Sequence, residues 1–345
     1  MLECSKFWKS VIPLLIGVGV GIAAGYSVWH TGPSDIARLI NNSLVPIEES
    51  GTSYSFVHPL LGYRLPEATI FGEYVSLKDS FQKIADTAKS DGNATRVSVY
   101  FRDLDVGRWV GIDQDATYHP ASLLKVPTMI AFYKEAEENP TLFSQSVTYD
   151  SSVMPTDPYT AESKLAAGRS YSIDSLIRSM ITDSDNGATF TLLNLINPDF
   201  LDAVYISLGV KSPNNDSANY QISARTYGLF FRVLYNTTYL SSSYSERALK
   251  LLSEATFTNG LVAGLPKGAI VAHKYGYHIF SGNGGVVTGI ELSDCGIVYY
   301  PAHPYLLCVM IGGYNEPTAS KVIADISRAA YVAVEERYAT SSPAQ

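Results

Sequence analysis

The sequence has few cysteines, few charges and no cationic excess. Three cysteines in 345 residues exclude a disulfide-stapled scaffold, which needs a denser, even set. Lysine and arginine number 25 against 33 acidic residues, a formal net charge of −8. That balance lacks the basic face a nucleic-acid partner needs, so none is expected. No cluster of His, Cys, Asp or Glu has a familiar metal-ligand spacing, so no metal or other cofactor is implied. No internal repeat is visible, which excludes a solenoid. Charged residues make up 17% and hydrophobic residues 46%, enough for a sizeable core and too apolar for wholesale disorder.

Charge is absent altogether from residues 11–29, VIPLLIGVGVGIAAGYSVW. A run of roughly 20 apolar residues spans a bilayer as one helix. Lys6 and Lys9 precede it, and basic flanks tend to stay cytoplasmic, which places the rest of the chain outside. The alternative is a secretory signal cleaved near the small-x-small triplet Gly21-Ile22-Ala23; the apolar run is longer than a usual signal core. The expected organisation is therefore a cytoplasmic N-terminus and anchor (1–30), a proline-bearing stalk (31–70), a catalytic domain (71–338) and a short tail (339–345). Cys4 lacks the preceding apolar run of a lipoprotein cysteine. Cys295 and Cys308 fall in two consecutive apolar runs that read as a hairpin. Setting Tyr300 opposite Tyr305 makes them diagonal neighbours, usually too far apart to bridge, so both are expected as buried thiols.

Residues 75–90 carry apolar positions at helical spacing and stop before Asp91-Gly92. Segments 95–103 and 108–113 alternate as a hairpin around Asp105-Val106-Gly107. Several helical patterns fill about 120–260. Four strand patterns follow, at 269–276, 284–291, 295–301 and 305–313, and an amphipathic helix at 319–338 closes the chain. This order predicts a mixed α/β fold of the α+β type. An antiparallel sheet is flanked by N- and C-terminal helices, with an inserted all-helical subdomain and one transmembrane helix ahead of it.

Three short motifs carry chemistry. Ser122-Leu123-Leu124-Lys125 opens a helical pattern, and a spacing of three puts both side chains on one face. A serine hydroxyl needs a base to become nucleophilic, and a partly buried lysine beside other positive charge can be that base. Ser184-Asp185-Asn186 lies between two helical patterns, where it can equally cap the second one. Lys274-Tyr275-Gly276 ends a strand pattern, where glycine permits close backbone approach and a lysine can also guard a sheet edge.

In this order and context the three motifs match those of class A β-lactamases and penicillin-binding proteins. HPASLLKVPTMIAFY, SLIRSMITDSDNGATFTLLNLI and IVAHKYG resemble that family's active-site segments, and the likeness runs from about 75 to 337. The resemblance implies that Ser122 is acylated with help from Lys125, and that Ser184 shuttles a proton. It implies that Asn186 and Lys274 bind the substrate's amide and carboxylate beside Gly276, and that the backbone N–H groups of Ser122 and Tyr277 form the oxyanion hole. The implied partner is a β-lactam or a peptidoglycan stem peptide.

Two departures stand out. Tyr275 occupies the place where the family carries a small hydroxyl residue. The segment LGVKSPNNDSANYQISARTYGLFF (208–231) holds no glutamate, the residue that releases the acyl group in class A enzymes. Asp216 is its only carboxylate, and Asp199 and Asp202 lie in an earlier helical stretch. His119, His273 and His278 are further candidates for the cleft. The sequence leaves open a β-lactam hydrolase, a peptidoglycan D,D-carboxypeptidase or transpeptidase, and a sensor that binds without turnover.

Overall fold

Apolar strand segments from early and late in the chain converge on one five-stranded antiparallel sheet. The computed structural model describes residues 45–48, 55–57, 60–64, 74–150, 163–213 and 219–339. The expected membrane span at 11–29, residues 340–345 of the expected tail and Asp216 lie outside them, while Ala339, expected to begin the tail, ends the last helix. Among the described residues no helix is long and apolar enough to cross a membrane.

Strands β1 (Val45–Glu48) and β2 (Leu60–Arg64) pair as a small ladder. Helix α1 (Val75–Ser90) then leads into the hairpin β3 (Arg96–Asp103) and β4 (Trp109–Ile112). A short strand β5 (Thr117–Tyr118) precedes a 3-10 turn, Ala121–Leu124, and α2 (Lys125–Glu138). The helical block continues through the ladder β6 (Ser146–Thr148) and β7 (Ser170–Ser172), then α3 (Ile173–Thr182), α4 (Asn186–Leu193) and α5 (Pro198–Ser207). It ends with β8 (Ile222–Ser223), which pairs with β5, α6 (Ala224–Tyr235) and α7 (Ser242–Leu252). Strands β9 (Val271–Ser281), β10 (Val287–Val298) and β11 (Tyr305–Gly313) follow, and α8 (Glu316–Ala339) closes.

The main sheet runs β4-β3-β11-β10-β9, with every pair antiparallel. One face packs on α1 and α8 through Leu77, Phe81, Ala85, Val322, Ile323 and Ile326. The other meets the helical block, where Leu123, Met129, Tyr227 and Phe231 join Cys295, Leu306 and Met310. Burial on both faces explains why β11 reads as an unbroken apolar run. Each such buried large side chain contributes roughly 1.5–3 kcal/mol relative to exposure.

Three sequence expectations change here. The strand pattern at 269–276 runs on to Ser281, so Lys274-Tyr275-Gly276 lies inside β9 and does not end a strand, because residues 277–281 stay paired with β10. The strand patterns 284–291 and 295–301 are one continuous strand, β10, because Ser293-Asp294 stays in register between β9 and β11 instead of turning. The cysteines are not diagonal thiols. Val298, not Tyr300, faces Tyr305, so Cys295 lies directly opposite Cys308 and the two form a disulfide. The loop between the strands is longer than the sequence pattern suggested, and that shift moves the register.

A further contact joins residues 55–57 to α7. The Glu246 carboxylate accepts three consecutive backbone N–H groups, from Ser55 at 3.0 Å, Phe56 at 2.7 Å and Val57 at 3.0 Å. The Tyr299 hydroxyl donates to the Phe56 carbonyl.

Candidate active site

The turn bearing Ser122 is held from three sides. Its Leu123 side chain is fully buried, and the Tyr227 hydroxyl donates to the Leu123 carbonyl at 2.9 Å. Strand β9 presses on it through Gly276, where a Cβ would sit 2.4 Å from the Pro120 carbonyl oxygen. No other residue fits at that approach. Ala121, just before Ser122, has φ +46°, a left-handed conformation that costs a non-glycine residue about 1–2 kcal/mol. Ser122 does not act as an ordinary helix cap: no side chain caps α2. Pro127 sits in the first turn of α2, where its missing N–H is harmless.

Lys125 begins α2 and is buried. Its Nζ donates to the Ser184 carbonyl at 2.6 Å, the Ser184 hydroxyl at 3.0 Å and Asn186 Oδ1 at 2.7 Å. Lys274, from β9, donates to the same Ser184 hydroxyl at 3.0 Å. One buried serine oxygen thus lies between two lysine nitrogens supplied by opposite sides of the cleft. Burial pushes Lys274 well below the ordinary lysine range, and the neighbouring Lys125 pushes the same way. Asp294, which bonds His273 Nδ1 at 2.8 Å, opposes the shift.

The Ser184-Asp185-Asn186 bend divides its labour. Asp185 caps α4 by accepting from the Ala188 N–H. It also accepts from Tyr149, Ser163 and Ser179, so the carboxylate is a structural hub. Ser184 adopts φ +56°; its side chain meets both lysines, and that of Asn186 meets Lys125. The capping reading of this tripeptide holds on Asp185, while Ser184 and Asn186 face the lysine cluster. Non-glycine residues in left-handed backbone concentrate where surrounding structure enforces them, often at sites of chemistry.

The structure thus gathers Lys125, Ser184, Asn186 and Lys274 into one hydrogen-bonded cluster beside the turn of Ser122 and Gly276. The side chain of Tyr277 joins the core on the α1/α8 side, leaving only its backbone for the site. Tyr275 stacks on Phe257 with ring centroids 4.1 Å apart, and the Lys274 nitrogen lies 4.2 Å from the Tyr275 ring centroid. Asp202 accepts from Ser212 and Asp199 sits in the first turn of α5. Sequence reasoning missed Asp185 as a hub, Phe257, and Glu291, which bonds the backbone of His119. Their partners come from distant segments, so no local pattern marks them.

The model of a β-lactamase enzyme family matches residues 76–334. A comparison with curated proteins returned no match. Among solved structures, PBP-A in a mutant acyl-enzyme complex with penicillin G is 25% identical, with a TM-score of 0.63 over 75% of this chain and 97% of that one. A β-lactamase from Chitinophaga pinensis is 22% identical, with a TM-score of 0.64 over 75% of this chain and 99% of that one. A β-lactamase from Burkholderia phymatum is 18% identical, with a TM-score of 0.62 over 75% and 100%. These last two speak to the fold. With a family match across the sheet, both flanking helices and the helical block, the chain belongs to the β-lactamase enzyme family of serine hydrolases.

Proposed function

We propose that Ser122 attacks the carbonyl of a β-lactam or a related D-Ala-D-Ala-type amide and becomes acylated. The observation that carries this reading is the Ser184 hydroxyl held between Lys125 and Lys274, 3.0 Å from each nitrogen. Ser122 Oγ gives its proton to Lys125 or, through Ser184, to this chain, whose Lys274 end holds a proton poorly. Oγ forms a bond to the carbonyl carbon, and the developing oxyanion faces the backbone N–H groups of Ser122 and Tyr277. Collapse breaks the C–N bond, and the departing nitrogen takes a proton from Ser184, which the lysines restore. Asn186 and Lys274 orient the substrate.

A second reading, a peptidoglycan D,D-carboxypeptidase or transpeptidase, draws on the loop chemistry. Residues 208–231 hold no glutamate, so rapid release of the acyl group by water lacks its usual base. The similarity to PBP-A, seen as an acyl-enzyme with penicillin G, fits slow release. The proposed setting is outside the cytoplasm, membrane-anchored by residues 11–29. The Cys295–Cys308 disulfide supports it, since such bonds persist in oxidising compartments.

The test incubates the full-length protein with a fluorescent penicillin and a chromogenic cephalosporin. Label with turnover supports a β-lactam hydrolase. Stable label without turnover supports the peptidase, or a sensor. Label that persists unchanged in Ser122→Ala sinks the serine mechanism.

A further inference from the structure

A cluster on the opposite flank of the Ser122 turn has no part in that mechanism. The rings of His119 and His278 stack with centroids 4.3 Å apart and planes 8° from parallel. Phe280 meets both edge-on. His119 precedes Ser122 by three residues, and His278 follows Gly276 on the same face of β9. The stack therefore bridges the nucleophile turn and the strand pressed against it. Behind it lies Glu291 of β10, 4% exposed. Its Oε2 accepts the His119 backbone N–H at 2.7 Å and faces His119 Nδ1 at 3.2 Å. Its Oε1 accepts from the Arg96 guanidinium. Arg96 reaches it from β3 across Gly312 of β11, where a Cβ would lie 2.8 Å from Arg96 Cγ. Arg96 also donates to the Thr117 carbonyl at 2.8 Å and covers the Tyr118 ring.

We propose that Glu291, His119, His278 and Arg96 form a proton-sensitive latch that sets the position of the Ser122 turn against β9. Arg96 and Glu291 balance each other's charge, and Asp113 acts on the neighbouring Tyr118. One imidazolium can use Glu291. A second places two cations face to face inside a half-buried stack, and the rings must part. Burial, and then His119, hold His278 below the usual histidine range against the opposing pull of Glu291, so the closed latch is the neutral-pH form. Glu291 is a positioning residue here. It acts through the His119 backbone and touches no reacting atom.

The test follows hydrogen exchange at the backbone amides of residues 119–124 in the full-length protein and in His278→Phe, which keeps a flat ring without a titrating nitrogen. Exchange is corrected for its intrinsic pH dependence. Between about pH 7.5 and about pH 5 the wild type is expected to lose protection there roughly tenfold, and His278→Phe to lose far less. His119→Phe serves the same purpose should His278→Phe not fold. Equal loss in wild type and variant overturns the latch. Penicillin labelling, each protein normalised to its own rate at about pH 7.5, should show an acid-side fall that is steeper in the wild type than in the variant, which keeps only the fall due to the lysine base. This kinetic part rests on Ser122 being the nucleophile. If Ser122→Ala still labels, that reading fails, while the exchange result still judges the latch.

Discussion

Lys274 is 1% exposed and its pKa in the folded chain is depressed. The unfolded chain therefore binds an extra proton as pH falls below the ordinary lysine value of 10.5, and stability falls with it. Keeping this nitrogen at the site costs stability near neutral pH. Lys274→Met is expected to raise the melting temperature there while abolishing penicillin labelling. The gap should close as pH rises toward about 10.5. Calorimetry across that range checks both the sign and the window; a lower melting temperature for the variant at neutral pH would contradict the argument. Lys125 makes a different demand. Lys125→Met is expected to slow acylation by about 10²–10⁴-fold, the usual worth of a positioned acid–base group, with the fold intact. Stopped-flow labelling beside circular dichroism separates the two effects.

At the scale of elements, the site depends on how closely β9 meets the Ser122 turn. Gly276→Ala puts a methyl group into the Pro120 carbonyl, so the turn must retreat. A displacement of about 1 Å can cost on the order of 10²-fold in rate, and that loss should appear in labelling kinetics without loss of helix signal. The contact between α7 and residues 55–57 is separate. Glu246→Ala strands three backbone donors, at about 1–3 kcal/mol per group left buried and unpaired and less where water reaches it. Urea titration should show the loss, and limited proteolysis should cut near residue 55 in the variant first.

The same scale shows what the sequence made legible. Helix α1 and strand β11 have the bounds their patterns predict, because amphipathic period and flanking stops are local properties. Two of the three motifs were legible for the same reason: Ser122–Lys125 and Ser184–Asn186 sit at helix boundaries, whereas Lys274-Tyr275-Gly276 lies inside β9 and was found by its residue types and its order in the chain. The continuity of β10 was not, because a polar Ser293-Asp294 pair resembles a turn until β9 and β11 flank it. The cysteine pairing failed on one quantity, the length of the loop after Val298, since a two-residue slip exchanges a direct partner for a diagonal one. Glu291 and Arg96 were invisible, because their meeting requires the register of three strands and a glycine between them.

For the whole molecule, the disulfide joins the last two strands in the same row as Lys274, which pairs with Cys295 in the ladder. It closes a loop of 13 residues, for which loop entropy alone gives a stabilisation of about 3 kcal/mol. Reduction, or paired Cys295→Ala and Cys308→Ala substitution, should lower the urea midpoint accordingly; an unchanged midpoint would mean the loop is already ordered in the unfolded chain.

The sheet order has its own consequence for how the protein is made. β3 emerges early from the ribosome, yet its inner neighbour is β11, the last strand. Until residue 313 has been synthesised, β3 and β4 can form only a hairpin, and a lone hairpin is marginal in water. The domain cannot assemble progressively as it is translated. Its early segments stay open until nearly all of the domain has been delivered, a state that a translocation channel accepts and that a crowded interior exposes to aggregation.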